Sequence, residues 1–126
     1  MNESLLAKTQ RMIEDLVHGK FVEGMEEFYA DHAVNEEPTG DRIEGKQNII
    51  ANEKQVLDNV AEFHGCEIKS IGVATDDGHG NGVTYAEYKL TVDMKDGSQF
   101  NPDQVQVTQW EDGKAKHVRF YYNPNF

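Results

Sequence analysis

A single cysteine, Cys66, leaves this 126-residue chain without an intrachain disulfide or a cysteine metal cluster. Basic residues are also scarce: 12 Lys and Arg stand against 23 Asp and Glu, for a formal net charge of -11. Phosphate recognition needs a basic stripe, so the scattered cations argue against nucleic acid and against anionic membrane surfaces as partners. No apolar run approaches the roughly 20 residues of a membrane span. The opening MNESLLAKTQ lacks the basic start and apolar middle of a signal peptide, and we expect a cytoplasmic protein. Hydrophobic residues make up only 37% of the chain, enough for one core and one domain.

Apolar residues at Leu5, Leu6, Met12, Ile13, Leu16 and Val17 recur at helical spacing behind a capping Asn2 or Ser4, and Gly19 stops that helix. A shorter helix from Phe21 to about Tyr29 buries Phe21, Met25 and Phe28 on one stripe. Ala33 to Glu37 reads as a short strand and PTGDRIEG as a loop. The spacing Ile49, Ile50, Glu53, Val56, Leu57, Val60 predicts a third helix, the longest, over Lys46 to Phe63. Everything beyond it reads as strand: His64 to Thr75, then Val83 to Met94, about Gln99 to Trp110, and Lys114 to Tyr122. Tight turns at Lys95–Ser98 and at Asp112-Gly113 join the last three in meander order. Helices first and antiparallel strands afterwards predict an α+β fold with the helices on one face of the sheet. Alternation turns Ala86, Tyr88, Leu90, Val92 and Met94 inward, and Val118, Phe120 and Tyr122 likewise. The middle strand allows two solutions: Gln104, Gln106, Thr108 and Trp110 inward, or Val105 and Val107 inward.

The chemistry concentrates in FYADHAVNEEPTG, where Glu36 and Glu37 stand against Pro38. Pro38 fixes its own φ and biases Glu37 toward extended geometry, so the acids end a strand. A carboxylate held there can move protons if it faces a pocket. Alternation that buries Val34 turns Glu36 inward, so both acids are candidates. His32, Glu36 and His64 lack the spacing of a metal centre, and GHGNG lacks the helix and the Lys-Ser/Thr of a phosphate loop. We assign no metal and no cofactor.

The element order and FYADHAVNEEPTG together resemble the NTF2-like superfamily, specifically its SnoaL-like and ketosteroid-isomerase-like branch, over essentially the whole chain. The resemblance implies one domain, residues 1–126, in which three N-terminal helices pack on a strongly curved, mainly antiparallel sheet. This is the cystatin-like, NTF2-like cone, with a ligand cavity at its open end. It places the family's acid before proline, the general base of ketosteroid isomerase, on Glu37. The helix tyrosine of that enzyme is replaced by Met12 and its sheet aspartate by Gln106, so a steroid isomerase in the strict sense is not implied. Gln106 would donate to a carbonyl oxygen, and Tyr29, Tyr88 or Tyr122 would supply a hydroxyl. The same mapping turns Gln106, Thr108 and Trp110 toward the cavity, with Phe120.

Two functional readings stand. One is an isomerase or cyclase in which Glu37 abstracts a proton next to a carbonyl of a small apolar substrate, helped by Gln106. The other is a non-catalytic ligand-binding or protein-interaction module. In either, Val105, Val107 and an outward tyrosine make an amphipathic sheet face suited to a homodimer.

Overall fold

The computed structural model describes residues 3–123. Ser4 opens helix α1 (Leu5–Val17), its hydroxyl accepting from the Ala7 N–H at 3.1 Å. The alternative cap, Asn2, lies outside the described residues. The chain reverses at Gly19, whose φ of +73° is open to glycine without strain, and forms α2 (Phe21–Phe28). Strand β1 (Tyr29–Glu36) follows without a loop, starting four residues before the predicted Ala33 because Tyr29 and Ala30 are already extended and buried. A turn in which the Gly40 N–H donates to the Glu37 carbonyl leads to β2 (Arg42–Glu44) and then to α3 (Lys46–Asp58).

The predicted helix over Lys46 to Phe63 is corrected: α3 ends at Asp58 and, at 13 residues, is no longer than α1. Val60 and Phe63 fit helical spacing locally, but they pair with Met94 and Val92, and the Lys95 N–H donates to the Asn59 carbonyl at 2.8 Å. Long-range pairing of a β-branched residue has overridden the local period. Val60 therefore starts β3 (Val60–Asp76), 17 residues long and interrupted by four register shifts against its neighbour. Such bulges bend a strand and add twist, which curls the sheet around the helices.

The remaining strands are β4 (Gly82–Met94), β5 (Gln99–Phe100), β6 (Asp103–Glu111) and β7 (Lys114–Tyr121). The predicted strand over Gln99 to Trp110 is split at Asn101-Pro102. Proline has no N–H to give a ladder, and the Pro102 carbonyl instead accepts from the Leu90 N–H at 3.1 Å. One sheet results, in the order β2-β1-β7-β6-β4-β3 with β5 on β4; β1 runs parallel to β7 and every other pairing is antiparallel.

The helices cover one face of this sheet. At one end Leu5, Phe28, Trp110 and Val118 pack together, and toward the other Ile13 meets Tyr88, Leu90 and Val92 of β4. Of the two solutions for β6, the polar row is inward: Gln104, Gln106, Thr108 and Trp110 are all buried, while Val105 and Val107 are half-buried on the outer face. A buried polar row survives only if it is hydrogen-bonded. Tyr88 donates to Gln106 Oε1 at 2.7 Å and accepts from Gln104 Nε2 at 2.7 Å, and Trp110 Nε1 donates to Thr84 Oγ1 at 2.9 Å. Among the described residues no helix is long and apolar enough to cross a membrane.

Candidate functional site

Inner positions of β1 alternate through Ala33 and Asn35, both buried, and the same parity carries Glu37 inward beyond the strand end. The Glu37 N–H donates to the Asp41 carbonyl at 2.9 Å, which fixes the backbone that presents the acid. Glu36 points the other way, to His117 at 3.1 Å and Arg119 at 3.6 Å. Of the two acids, then, Glu37 lines the cavity of the cone and Glu36 makes ion pairs on the outer face.

The cavity has a volume of about 670 Å³. Met12 and Leu16 of α1, Met25 of α2 and Val56 of α3 form its helical side, while Tyr88, Leu90 and Val92 of β4 form much of the opposite wall. Among the described residues its only charged side chains are Glu37 and Glu53, and no Lys, Arg or His lines it. Tyr122 donates to Glu37 Oε2 at 2.9 Å. Glu53, on α3, receives no hydrogen bond or ion pair from a side chain among the described residues. Burial raises its pKa above the ordinary carboxylate range, and the negative charge of Glu37 adds to that rise.

Burial also raises the hydroxyl of Tyr29, with Glu53 contributing next, against a hydrogen bond from Asn35 that lowers it. The Asn35 Oδ1 is buried without a hydrogen-bond partner among the described residues. Tyr88 is raised by burial and partly restored by the bond from Gln104. Each of these phenols stays protonated at neutral pH and is a donor rather than a base. Cys66 is pushed up to about 11 by burial, which leaves an unreactive thiol.

Glu37, Gln106, Met12, Tyr29, Tyr88, Phe120 and Tyr122 are brought together around the cavity. The expected contribution of Thr108 and Trp110 to its wall is corrected: both lie on the inner face, but neither lines the cavity. Trp110 meets Phe28 edge-on at 6.3 Å between ring centroids, and Thr84, which takes its N–H, lies 2.7 Å from Thr9 of α1. The first turns of α1 thus close that end of the cone. Thr108 accepts from Gln106 Nε2 at 3.3 Å. With its oxygen held by Tyr88, Gln106 keeps one amide hydrogen for a ligand.

Glu53 escaped the sequence reading as a site residue, although a signal for it is present. It is an acid at a stripe position between Ile49, Ile50 and Val56, Leu57, where an apolar residue packs by default. His32, Glu36 and His64 do not converge: His32 lies near Glu111, Glu36 pairs with His117, and His64 pairs with Asp93 at 2.7 Å. Glu62, His64 and Asp93 form an exposed ion-pair cluster outside the cavity.

No sequence-family model matches the chain, and no curated protein is similar to it in sequence. Solved structures are similar to it in fold. A candidate SnoaL-like polyketide cyclase from Mesorhizobium loti superposes with a TM-score of 0.75 at 23% identity, covering 91% of this chain and 96% of that one. A candidate polyketide cyclase from Pseudomonas putida gives a TM-score of 0.77 at 14% identity, with 98% and 95% covered. An NTF2-like protein of unknown function from Burkholderia xenovorans gives 0.66 at 22% identity, with 94% and 85% covered. The chain has the NTF2-like cone fold found in SnoaL-like and ketosteroid-isomerase-like proteins.

Proposed function

We propose that the cavity binds a small, mainly apolar molecule carrying a carbonyl, and that Glu37 removes a proton next to that carbonyl. The protein would then be an isomerase or cyclase of the SnoaL-like kind, acting in the cytoplasm as a single-domain homodimer. The observation that carries this reading is a carboxylate on a rigid strand end, inside an apolar cavity of about 670 Å³, oriented by Tyr122 at 2.9 Å. Negative charge forming on the carbonyl oxygen meets the free amide hydrogen of Gln106 and the hydroxyl of Tyr29, both on the cavity wall. Neither donor is ionised, so the expected acceleration is that of a positioned base, about 10² to 10⁴.

The test is exchange of α-protons for deuterium in a panel of cyclic ketones and diketones, followed by NMR. Wild-type protein accelerates exchange, Glu37→Gln loses on the order of 10² or more of that rate with binding nearly retained, and Gln106→Leu loses less. Equal exchange by wild type and Glu37→Gln removes the base assignment. The second reading, a non-catalytic binding module, is favoured by the bonds of Gln106 to Tyr88 and Thr108, which leave a single amide hydrogen to meet developing charge. It expects bound ketones, no accelerated exchange, and changes of affinity alone in the two variants.

A further inference from the structure

The charges around the cavity are of one sign. Among the described residues two carboxylates line it, α1 and α2 contribute no titratable group to it, and the remaining titratable neighbours are Tyr29, Tyr88 and Tyr122, neutral through pH 8 because each is raised. Both acids are half-buried against an apolar wall, where a carboxylate is ordinarily paired with a cation or with several donors. Glu37 has the Tyr122 hydroxyl, but Glu53 has no donor among the described residues, and no Lys, Arg or His reaches either acid from the cavity wall.

We propose that the ligand of this cavity is itself a cation, an apolar body carrying a protonated amine whose ammonium group sits against the Glu53 carboxylate. This rests on the reading of the cavity as a ligand site, and it does not require the proton-transfer step.

Three features of the site favour such a ligand. The ammonium supplies the positive charge and N–H donors that Glu53 lacks, while Glu37 keeps its bond from Tyr122. Phe and Tyr rings line the walls, including Phe63, Phe120 and Tyr88, and give contact area to the apolar body. An anionic ligand would meet two acids with no counter-charge, and the net charge of -11 repels it before entry while drawing cations inward. Burial and the Glu37 charge raise the Glu53 pKa, and a bound ammonium would act in the opposite direction.

Phenylbutylamine, phenylbutanol and phenylbutyrate share one body and differ in charge, so they separate the contributions. Titration calorimetry on the full chain at about pH 8 is expected to find the amine tighter than the alcohol by about tenfold or more, with the carboxylate weakest. As the pH is lowered from about 8 toward about 4 the advantage of the amine shrinks because Glu53 takes up a proton, while the alcohol is unaffected. Glu53→Gln brings the amine within about threefold of the alcohol and leaves the alcohol unchanged; Glu37→Gln, measured alongside, retains most of the preference. An amine that binds no tighter than the alcohol to wild type, or an advantage that survives Glu53→Gln intact, overturns the proposal. In that case binding of the alcohol still upholds the cavity as a ligand site, whereas failure of all three probes overturns both.

Discussion

Glu53 occupies a helix position where a leucine would pack, and its charge costs the folded state stability. Its pKa is raised by burial and by Glu37, so the folded chain holds the proton more tightly than the unfolded chain. The folded state is therefore favoured below the ordinary carboxylate pKa, and that advantage is lost as pH rises through the raised value. Glu53→Gln removes the titration while keeping the shape. The variant is expected to melt within a degree or so of wild type near pH 4 and several degrees above it near pH 8, measured by thermal unfolding across that range. A difference that is flat with pH, or that favours wild type at pH 8, would contradict the assignment. Glu37 was legible because Pro38 restricts its backbone and marks the strand end. Its distinction from Glu36 was not, because Val34 also reads as a buried position and only the pairing of Asn35 with Val118 fixes the parity. Trp110 shows the reverse: its inner-face position followed from alternation, but whether a ring lines a cavity or fills a core depends on Leu5 and Thr9, which lie about a hundred residues away in sequence.

Among the elements, the hairpins at one end of the sheet are clasped to each other. Gly113 N–H donates to the Gly80 carbonyl at 2.9 Å and Asp112 N–H to Asn81 Oδ1 at 3.1 Å, which ties the β3–β4 turn to the β6–β7 turn. Gly80 has φ +89°, and a Cβ there would lie 2.4 Å from the Gly113 nitrogen, a backbone atom that cannot swing aside. Gly78, two residues earlier at φ +79°, has open space around it. Gly78→Ala should cost only the left-handed backbone penalty of about 1 kcal/mol, and Gly80→Ala at least ~1 kcal/mol more as the clasp is forced open. Urea denaturation of the two variants measures the difference, and equal losses would mean that the turns do not depend on each other. The glycines of GHGNG were legible as a turn, whereas the contact between turns is a product of the curved sheet. The same limit applies to α3 and β3. Helical spacing through Val60 and Phe63 is real, but a period of a few apolar residues cannot tell where pairing to β4 takes over.

For the whole molecule, the outer face of the sheet carries a partly exposed row of apolar and aromatic side chains on an otherwise acidic surface. Tyr85 pairs across strands with Val107 and Val105 with Tyr121, and Tyr85 and Tyr121 are 41% and 45% exposed, unusually open for large rings. Arg119 stacks over Tyr121 at 4.8 Å and lies 3.6 Å from Glu36, so its charge is balanced at the edge of the patch. The amphipathic row was legible from Val105, Val107 and the tyrosine pair at the end of the chain; Tyr85 joins it only once β4 and β6 are in register. Two copies meeting on this face would bury those rings while keeping the two cavities on opposite sides of the sheets. Sedimentation at micromolar concentration is expected to find a dimer, strengthened by added salt because each chain brings a charge of -11. Val107→Asp adds a further acid at the centre of the patch and should weaken association by about tenfold or more without changing ligand affinity, since Val107 faces away from the cavity. A wild type that sediments as monomer throughout this range, or a Val107→Asp variant that dimerises as well as wild type, would show that the outer face is not where copies of this chain meet.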